Sequence, residues 1–509
     1  MQPGSIIVLC VFYGLLVLLT VSSLHRLLLA IAARRIQRSR KQLTADPVLD
    51  EWPAVVVQLP LYNEPKVAAR IIKACAALDY PEDKFTVQVL DDSTGSNRLP
   101  VDEAVRHAKD NGAPIELIRR TKREGYKAGA LQVGLERSSA PFIAVLDADF
   151  IPPQDFLKRM IPAFEDETGM VQARWAYTNP LQNLLTRAQR VLLNGHFCIE
   201  QRSRSAKDLY FNFNGTAGIW RREAIVEAGG WQFDTLTEDF DLSYRAQLEG
   251  WAFTYREDIE VPSELPGQLS AFRSQQHRWS KGGTQTFRKL IGRVLTAKSG
   301  ARKKLEAVFH LAANLNYVWM LGAAILMPFA VHLHPRAPQW LLQPLDALLI
   351  GTTVISMTTF YGIASFDRSG LSRRRMLTDI GLALLVDIGI ALEKGRGAIE
   401  AIIGKSSAFV RTPKAGHVSQ PPNAIGDGRD GTEVALHRPA SSSSYEASVP
   451  ANAALAGVQR TEERTAGEAR WTSTLAALTS NWLGEALLAV WLGYGAWSVF
   501  QSFAVSPLG

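Results

Sequence analysis

Residues 142–150, FIAVLDADF, pass from an unbroken apolar run straight into two aspartates separated by one residue. A short apolar run bounded by turn formers predicts a strand buried on both faces, as in a parallel sheet. Upstream the pattern recurs at 54–59 (AVVVQL), 85–90 (FTVQVL) and 114–118 (PIELI), with helical stretches at 66–78, 101–111 and 126–137 between. Strand and helix in alternation predict a mostly parallel α/β sheet covered by helices. Ligands of such sheets bind beyond the carboxyl ends of the strands. Asn63-Glu64 follows the first strand, Asp91-Asp92 the second and Asp147-Ala148-Asp149 the fourth.

One acid after a buried strand is ordinarily a helix cap or turn former; three such sites at one sheet edge are harder to explain that way. Asp147 and Asp149 are spaced i, i+2, so both carboxylates point the same way if the strand conformation persists. Two hard oxygen ligands suit Mg²⁺ or Mn²⁺ bridging a diphosphate. No glycine-rich phosphate loop follows the first strand, so the expected phosphate holder is a metal. Lys127, in GYKAG, could add a cation to the same pocket or be an ordinary surface lysine. Further on, Thr237-Glu238-Asp239 puts an acidic pair at an expected helix N-terminus, where capping is the plain alternative. Gln275-Gln276-His277-Arg278-Trp279 sets an arginine, suited to phosphate, beside an indole able to stack on a sugar ring. His196 and His277 read as hydrogen-bonded histidines rather than metal ligands.

The chain has 509 residues, 47% of them apolar, and a formal charge of +7. These fractions exclude disordered, collagen-like and disulfide-scaffold classes, and three cysteines make neither a disulfide framework nor a structural zinc site. The positive charge is concentrated: residues 26–41 carry +6, 273–304 carry +10 and 366–376 carry +3, so the remainder is acidic. Each block adjoins a long apolar run, the pattern of cytoplasmic flanks of membrane spans. A nucleic-acid partner is excluded on that placement. Expected spans are 6–24, 307–331, 340–365 and about 486–505. The first has its basic cluster after the run, the reverse of a secretory signal, and is expected to be a retained anchor with its N-terminus outside. Residues 377–392 contain Asp379 and Asp387 and are expected to lie at the interface rather than to cross. Four spans then place both termini outside. Residues 415–470 read as a flexible linker.

In order, Asp91-Asp92-Ser93, Asp147-Ala148-Asp149, Thr237-Glu238-Asp239 and QQHRW (275–279) resemble the pattern of family-two glycosyltransferases of the processive, membrane-embedded kind. Within them the chain is similar to the cellulose-synthase-like glucomannan (β-mannan) synthases over roughly 55–415, through QLPLYNE (58–64), VQVLDDST (87–94), GYKAGAL (125–131), VQARW (171–175), FNGTAGIWR (213–221) and QQHRWSKG (275–282). FVRTPK (409–414) resembles the family's gating loop, departing from it at Arg411.

The resemblance implies a nucleotide-sugar-binding α/β domain of GT-A type, with a mostly parallel sheet, inserted between transmembrane helices. The implied layout is an anchor at 1–33, a cytoplasmic transferase domain at 42–272 and basic interfacial helices at 273–305. Two spans follow at 306–366, then an interfacial helix and gating-like loop at 376–414, the 415–470 linker and a last span at 476–509. By the same resemblance Asp92, with Asp91 beside it, contacts the nucleoside. Asp147 and Asp149 hold the donor diphosphate and its Mg²⁺ or Mn²⁺, with Lys127 adding charge. Asp239 is the general base with Glu238 next to it, and Gln275, Arg278 and Trp279 line the acceptor end. Phe409, Thr412 and Lys414 gate the site, and Asn314, Asn316 and Trp319 are candidates for a polar channel lining, with packing the plainer alternative for each.

The implied activity is inverting, processive β-glycosyl transfer from GDP-mannose or UDP-glucose to a growing glycan at the cytoplasmic face of a cell's inner membrane. A non-processive transferase making a membrane glycolipid needs the same DxD and base. A transporter or silent scaffold is the reading outside the enzyme class.

Overall fold

The computed structural model describes residues 2–39, 49–366 and 372–405. Seven strands form one sheet in the order β3-β2-β1-β4-β6-β5-β7. Their ranges are β1 Val55–Leu61, β2 Phe85–Asp91, β3 Ile115–Ile118, β4 Phe142–Val145, β5 Thr168–Tyr177, β6 Gly218–Arg221 and β7 Ala252–Ser263. The first four lie within a residue or two of the positions read from sequence and pair in parallel. The helix Pro65–Ala76 starts on a proline, whose fixed φ suits a first helical position. It buries Val67, Ala68, Ile71, Ile72 and Cys75, one face at three- and four-residue spacing. Leu99–Asp110 does the same with Val101, Val105 and Ala108.

The second half of the sheet departs from the simple pattern. β6 runs antiparallel to both β4 and β5, while β5 and β7 pair in parallel. A mostly parallel sheet with one reversed strand results. β7 alternates buried and half-buried residues along nearly its whole length. Strict alternation of this kind marks a strand with one face on the core, and it is the signal by which AFTYREDIEVPS announces itself.

Three helices among the described residues are long and apolar enough to cross a membrane: Pro3–Arg38, Ala301–Arg336 and Gln339–Phe366. They contain the expected spans 6–24, 307–331 and 340–365; the expected span at 486–505 lies outside the described residues. Asp346, the one acid of the third run, accepts from Tyr13 Oη at 2.8 Å and pairs with His334 at 2.8 Å.

The helix Arg373–Gly389 covers most of 377–392. Its Asp379 is buried between Arg187 and Arg190 of the helix Leu184–Asn194, with the Arg190 contact at 2.7 Å. Asp387 accepts from Lys394 at 2.8 Å and Tyr317 at 3.0 Å. The two acids, costly at a bilayer centre when alone, are thus each paired within the protein. Leu377, Leu385 and Ile388 remain exposed.

Candidate active site

A cavity of about 480 Å³ opens at the carboxyl ends of β1, β2 and β4. Tyr62 and Glu64 follow β1 into it, Asp92 follows β2, and Asp147 and Asp149 follow β4. The chain does not stay extended through DAD. β4 ends at Val145, and Phe150 N–H bonds back to Asp147 O at 3.1 Å, closing a turn. The premise that a continuing strand aligns the two carboxylates is therefore corrected: it is this turn that presents both to the cavity. Thr216 Oγ1 accepts the Asp147 N–H at 2.8 Å and fixes the start of the turn.

Lys127 stands in the first turn of the helix Tyr126–Glu136, just after Gly125 and Tyr126, both with positive φ. Its ammonium reaches Asp147 Oδ1 at 2.5 Å and Gly215 O at 2.8 Å, so it is a pocket cation and not a surface lysine. Burial lowers its pKa, but Asp147, Glu238 and Asp239 outweigh burial and hold the ammonium above its usual value. Gly215 has φ +80, and a Cβ there would come within 2.9 Å of Asp239 Oδ2. Glycine lets this loop touch the acid without displacing it.

Thr237 precedes the helix Glu238–Leu248, as the sequence predicts, but makes no side-chain cap. Asp239 instead accepts the Phe240 N–H at 2.9 Å. Burial first, then the like charge of Glu238, push its carboxyl up to about 7, against Lys127, the Phe240 N–H and Arg278. A carboxylate tuned to that range is poised to take a proton at neutral pH.

The motif QQHRW lies on the long helix Leu269–Thr296, which carries Gln275, Arg278 and Trp279 to the cavity wall. Burial lowers the Arg278 pKa, while Glu238, Asp239 and Asp147 oppose that. This helix and the TED segment are in backbone contact: a Cβ on Gly282 would lie 2.8 Å from Thr237 N. Gln285 Oε1 accepts Leu236 N–H at 2.9 Å, and Lys289 pairs with Asp241 at 2.9 Å. The TED segment and the QQHRW residues are therefore braced by one helix.

Two expected donor contacts behave differently from each other. Asp91 does not line the cavity: its side chain is fully buried, takes Arg119 at 2.7 Å and accepts Ser93 N–H at 2.9 Å. It braces the β2 turn. Asp92 lines the cavity, and both its oxygens are held by Arg120. Beside it the Arg123 guanidinium lies over the Tyr62 ring, 3.4 Å from the centroid. Arg120, Arg123 and Gln285 lie outside the stretches quoted from the sequence and meet the site through groups far away along the chain. Asp91→Ala is expected to cost about 1–3 kcal/mol, because the buried Ser93 N–H loses its acceptor, and to leave the KM for donor unchanged. Denaturant unfolding beside initial rates checks both halves of that expectation.

His196 bonds Asn214 Oδ1 at 2.7 Å and lies 3.3 Å from Glu200, and His277 sits in ion-pair range of both Glu393 and Glu400. Among the described residues no group of three or more His, Cys, Asp or Glu is arranged to hold a metal. Mg²⁺ needs no such group when one or two carboxylates share it with phosphate oxygens and water. Asp147 and Asp149, both cavity-facing, are a donor set of that kind. Phe409, Thr412 and Lys414 lie outside the described residues. Asn314 lines the cavity, while Asn316 donates to Ala313 O at 3.1 Å in its own helix.

The model of glycosyl transferase family 2 matches residues 56–227, and that of glycosyl transferase family group 2 matches 142–356. The chain belongs to glycosyltransferase family 2. Within this family it is homologous to plant glucomannan mannosyltransferases. It is 45% identical over 294 residues to "Probable glucomannan 4-beta-mannosyltransferase 11" of Arabidopsis thaliana, covering 54% of this chain and 66% of that one. It is 37% identical over 332 residues to glucomannan 4-beta-mannosyltransferase 1 of Oryza sativa subsp. japonica, covering 60% and 62%. A further rice relative is covered over 54% of its length. The chain thus spans between half and two thirds of these curated relatives. Among solved structures, a mannosyltransferase from Pyrobaculum calidifontis, in complex with GDP-Man and Mn²⁺, superposes with a TM-score of 0.52 at 18% identity. That match covers 78% of this family-two chain and 100% of the other, and it carries the GT-A-type fold.

Proposed function

We propose that the chain is an inverting β-glycosyltransferase that builds a β-1,4-linked mannan- or glucan-type polysaccharide from a nucleotide-sugar donor. The observation that carries this reading is the convergence of Asp147, Asp149, Lys127, Asp239, Arg278 and Trp279 on one cavity, where burial and Glu238 raise the Asp239 carboxyl.

In the reaction, Asp239 takes the proton of an acceptor hydroxyl as that oxygen forms a bond to the anomeric carbon. The bond from that carbon to the donor phosphate breaks on the opposite side, and its electron pair leaves with the nucleoside diphosphate. Attack opposite the leaving group converts an α-linked donor into a β-linkage. Lys127 and Arg278 are fixed cations beside the negative charge that builds on the leaving group, and fixed charge in a water-poor site stabilises such a transition state strongly. Mg²⁺ or Mn²⁺, held by Asp147 and Asp149, would supply Lewis-acid stabilisation of the diphosphate. Gln275 and Trp279 orient the terminal acceptor sugar, and Asp92 with the Tyr62–Arg123 stack forms the nucleoside end.

The cavity continues past the base to Tyr317, Phe360, Tyr361, Asp387 and Lys394 on and beside the apolar helices. A polar path of this kind supports a saccharide that threads away from the site, and so favours polymer over glycolipid. The basic blocks support a cytoplasmic position for the transferase domain. The contacts of Asp379 with Arg187 and Arg190 support an interfacial position for Arg373–Gly389 on that same side. Cysteine labelling at residue 430 tests the topology: protection from an impermeant reagent outside is expected, and labelling there contradicts the four-span layout. Product length tests the chemistry. The purified chain is expected to make β-linked polymer cleaved by a linkage-specific mannanase or glucanase; lipids bearing one or two sugars would establish the non-processive alternative.

A further inference from the structure

The helix Leu269–Thr296 has two faces with different duties. Gln275, Arg278 and Trp279 face the cavity. Arg273, His277, Ser280 and Lys281 recur at three- and four-residue spacing on another face, which meets the helix Ala391–Ile402. The two backbones nearly touch, since a Cβ on Gly397 would lie 2.8 Å from His277 O. Ser280 Oγ donates to Lys394 O at 2.7 Å, and the fully buried Lys281 reaches Glu400 at 3.0 Å.

His277 sits in the middle of this seam. Its Nδ1 lies 2.8 Å from Glu393 Oε1, off the line of an ideal hydrogen bond, and its Nε2 lies 3.3 Å from Glu400 Oε2. A neutral imidazole has one N–H, so both ring nitrogens can satisfy carboxylates only in the imidazolium. Glu393 and Glu400 are two helical turns apart, so one ring ties together positions about 10 Å apart along the neighbouring helix. Sliding or rotating either helix breaks at least one contact. Apolar packing alone tolerates such slips more readily, and fixing register is the best-attested use of buried polar pairs.

We infer that His277 is a positioning residue which, through Glu393 and Glu400, fixes the register of the helix that carries Arg278 and Trp279 into the site. The inference rests on the transferase reading above. The charged groups facing His277 are Glu393, Glu400 and Arg396 on the partner helix and Arg273 and Lys281 on its own. Arg273 also reaches Glu393, at 3.4 Å, and Lys394 is turned away to Asp387 and Tyr317. The Glu393 contact raises the His277 pKa above its usual 6.5, with burial opposing and Glu400 assisting. The clamp is therefore whole below that raised value and is lost as pH rises through it. Transfer then has an alkaline limb set by His277 and an acid limb set by Asp239.

The test uses the full-length chain in nanodiscs, with initial rates against pH and donor concentration for wild type, His277→Gln and Glu393→Gln. Both variants are expected to lower kcat about 5- to 20-fold with donor KM within twofold, and His277→Gln is expected to lose the alkaline limb. His277→Arg, which keeps the charge, is expected to recover part of kcat. An unchanged kcat and pH profile in His277→Gln overturns the inference, as does a rise in donor KM alone. If both neutral variants fail to fold, the seam is a folding element and the positioning role is likewise overturned. A wild type that transfers no sugar removes the transferase reading itself, a separate outcome from either.

Discussion

Asp239→Asn is expected to lower kcat about 10²–10⁴-fold, the range for loss of a positioned general base, with donor KM nearly unchanged. The asparagine keeps the side chain's shape and can still accept the Phe240 N–H. What it loses is the ability to take a proton from the acceptor hydroxyl. In wild type the base is active when ionised, so the acid limb of kcat is expected to rise with pH through about 7, below the alkaline limb set by His277. The variant should show no such limb. Stability moves the other way. The folded chain holds this proton more tightly than the unfolded chain, whose ordinary value is 3.8, so the contribution is full below 3.8 and is lost as pH rises through about 7. Asp239→Asn removes that loss and should melt at or above the wild-type temperature at pH 8. Lower activity together with equal or higher stability separates a lost base from a damaged fold.

Lys127→Met is expected to lower kcat at pH 7 about 10²–10³-fold, comparable to losing one fixed stabilising donor, and to change the pH profile as well. The ammonium touches Asp147 and Gly215 O and lies in the field of Glu238 and Asp239. It performs two tasks: it faces the charge that grows on the leaving diphosphate, and it holds the Asp239 carboxyl below where burial alone would put it. Methionine retains the bulk and removes the charge. The acid limb should therefore move to higher pH. A variant whose rate falls equally at every pH assigns Lys127 to the leaving group alone. Rates from pH 6 to 9, at saturating donor, distinguish the two.

The early sheet was legible because burial on both faces leaves continuous apolar runs, and the acids after them are conspicuous against such runs. AVVVQL and FIAVL could hardly be anything but interior strands. β6 was not legible: four residues reversed between β4 and β5 carry no periodicity, and GIWR owes its place to partners far away in sequence. At the site, Asp147, Asp149, Glu238, Asp239, Arg278 and Trp279 stand out by motif and converge on one cavity. Asp91 carries the same motif signal as Asp92, but a strand's last residue points its side chain opposite to the next, and so into the protein. Arg120 and Arg123 lie in RRTKRE, a stretch that reads as surface charge until Asp92 and Tyr62 are seen against it. Residue type and local period show what a segment can do; which distant group it meets is fixed only by packing.

The reading that these residues form a nucleotide-sugar transferase has one direct test. Purified full-length chain in nanodiscs is incubated with Mg²⁺ or Mn²⁺ and radiolabelled GDP-mannose or UDP-glucose, and label entering ethanol-insoluble glycan is counted beside Asp239→Asn. The account predicts incorporation from at least one donor, dependent on the divalent ion and reduced at least a hundredfold in the variant. Equal incorporation by Asp239→Asn would contradict the mechanism, and no incorporation from either donor by wild type would contradict the account as a whole.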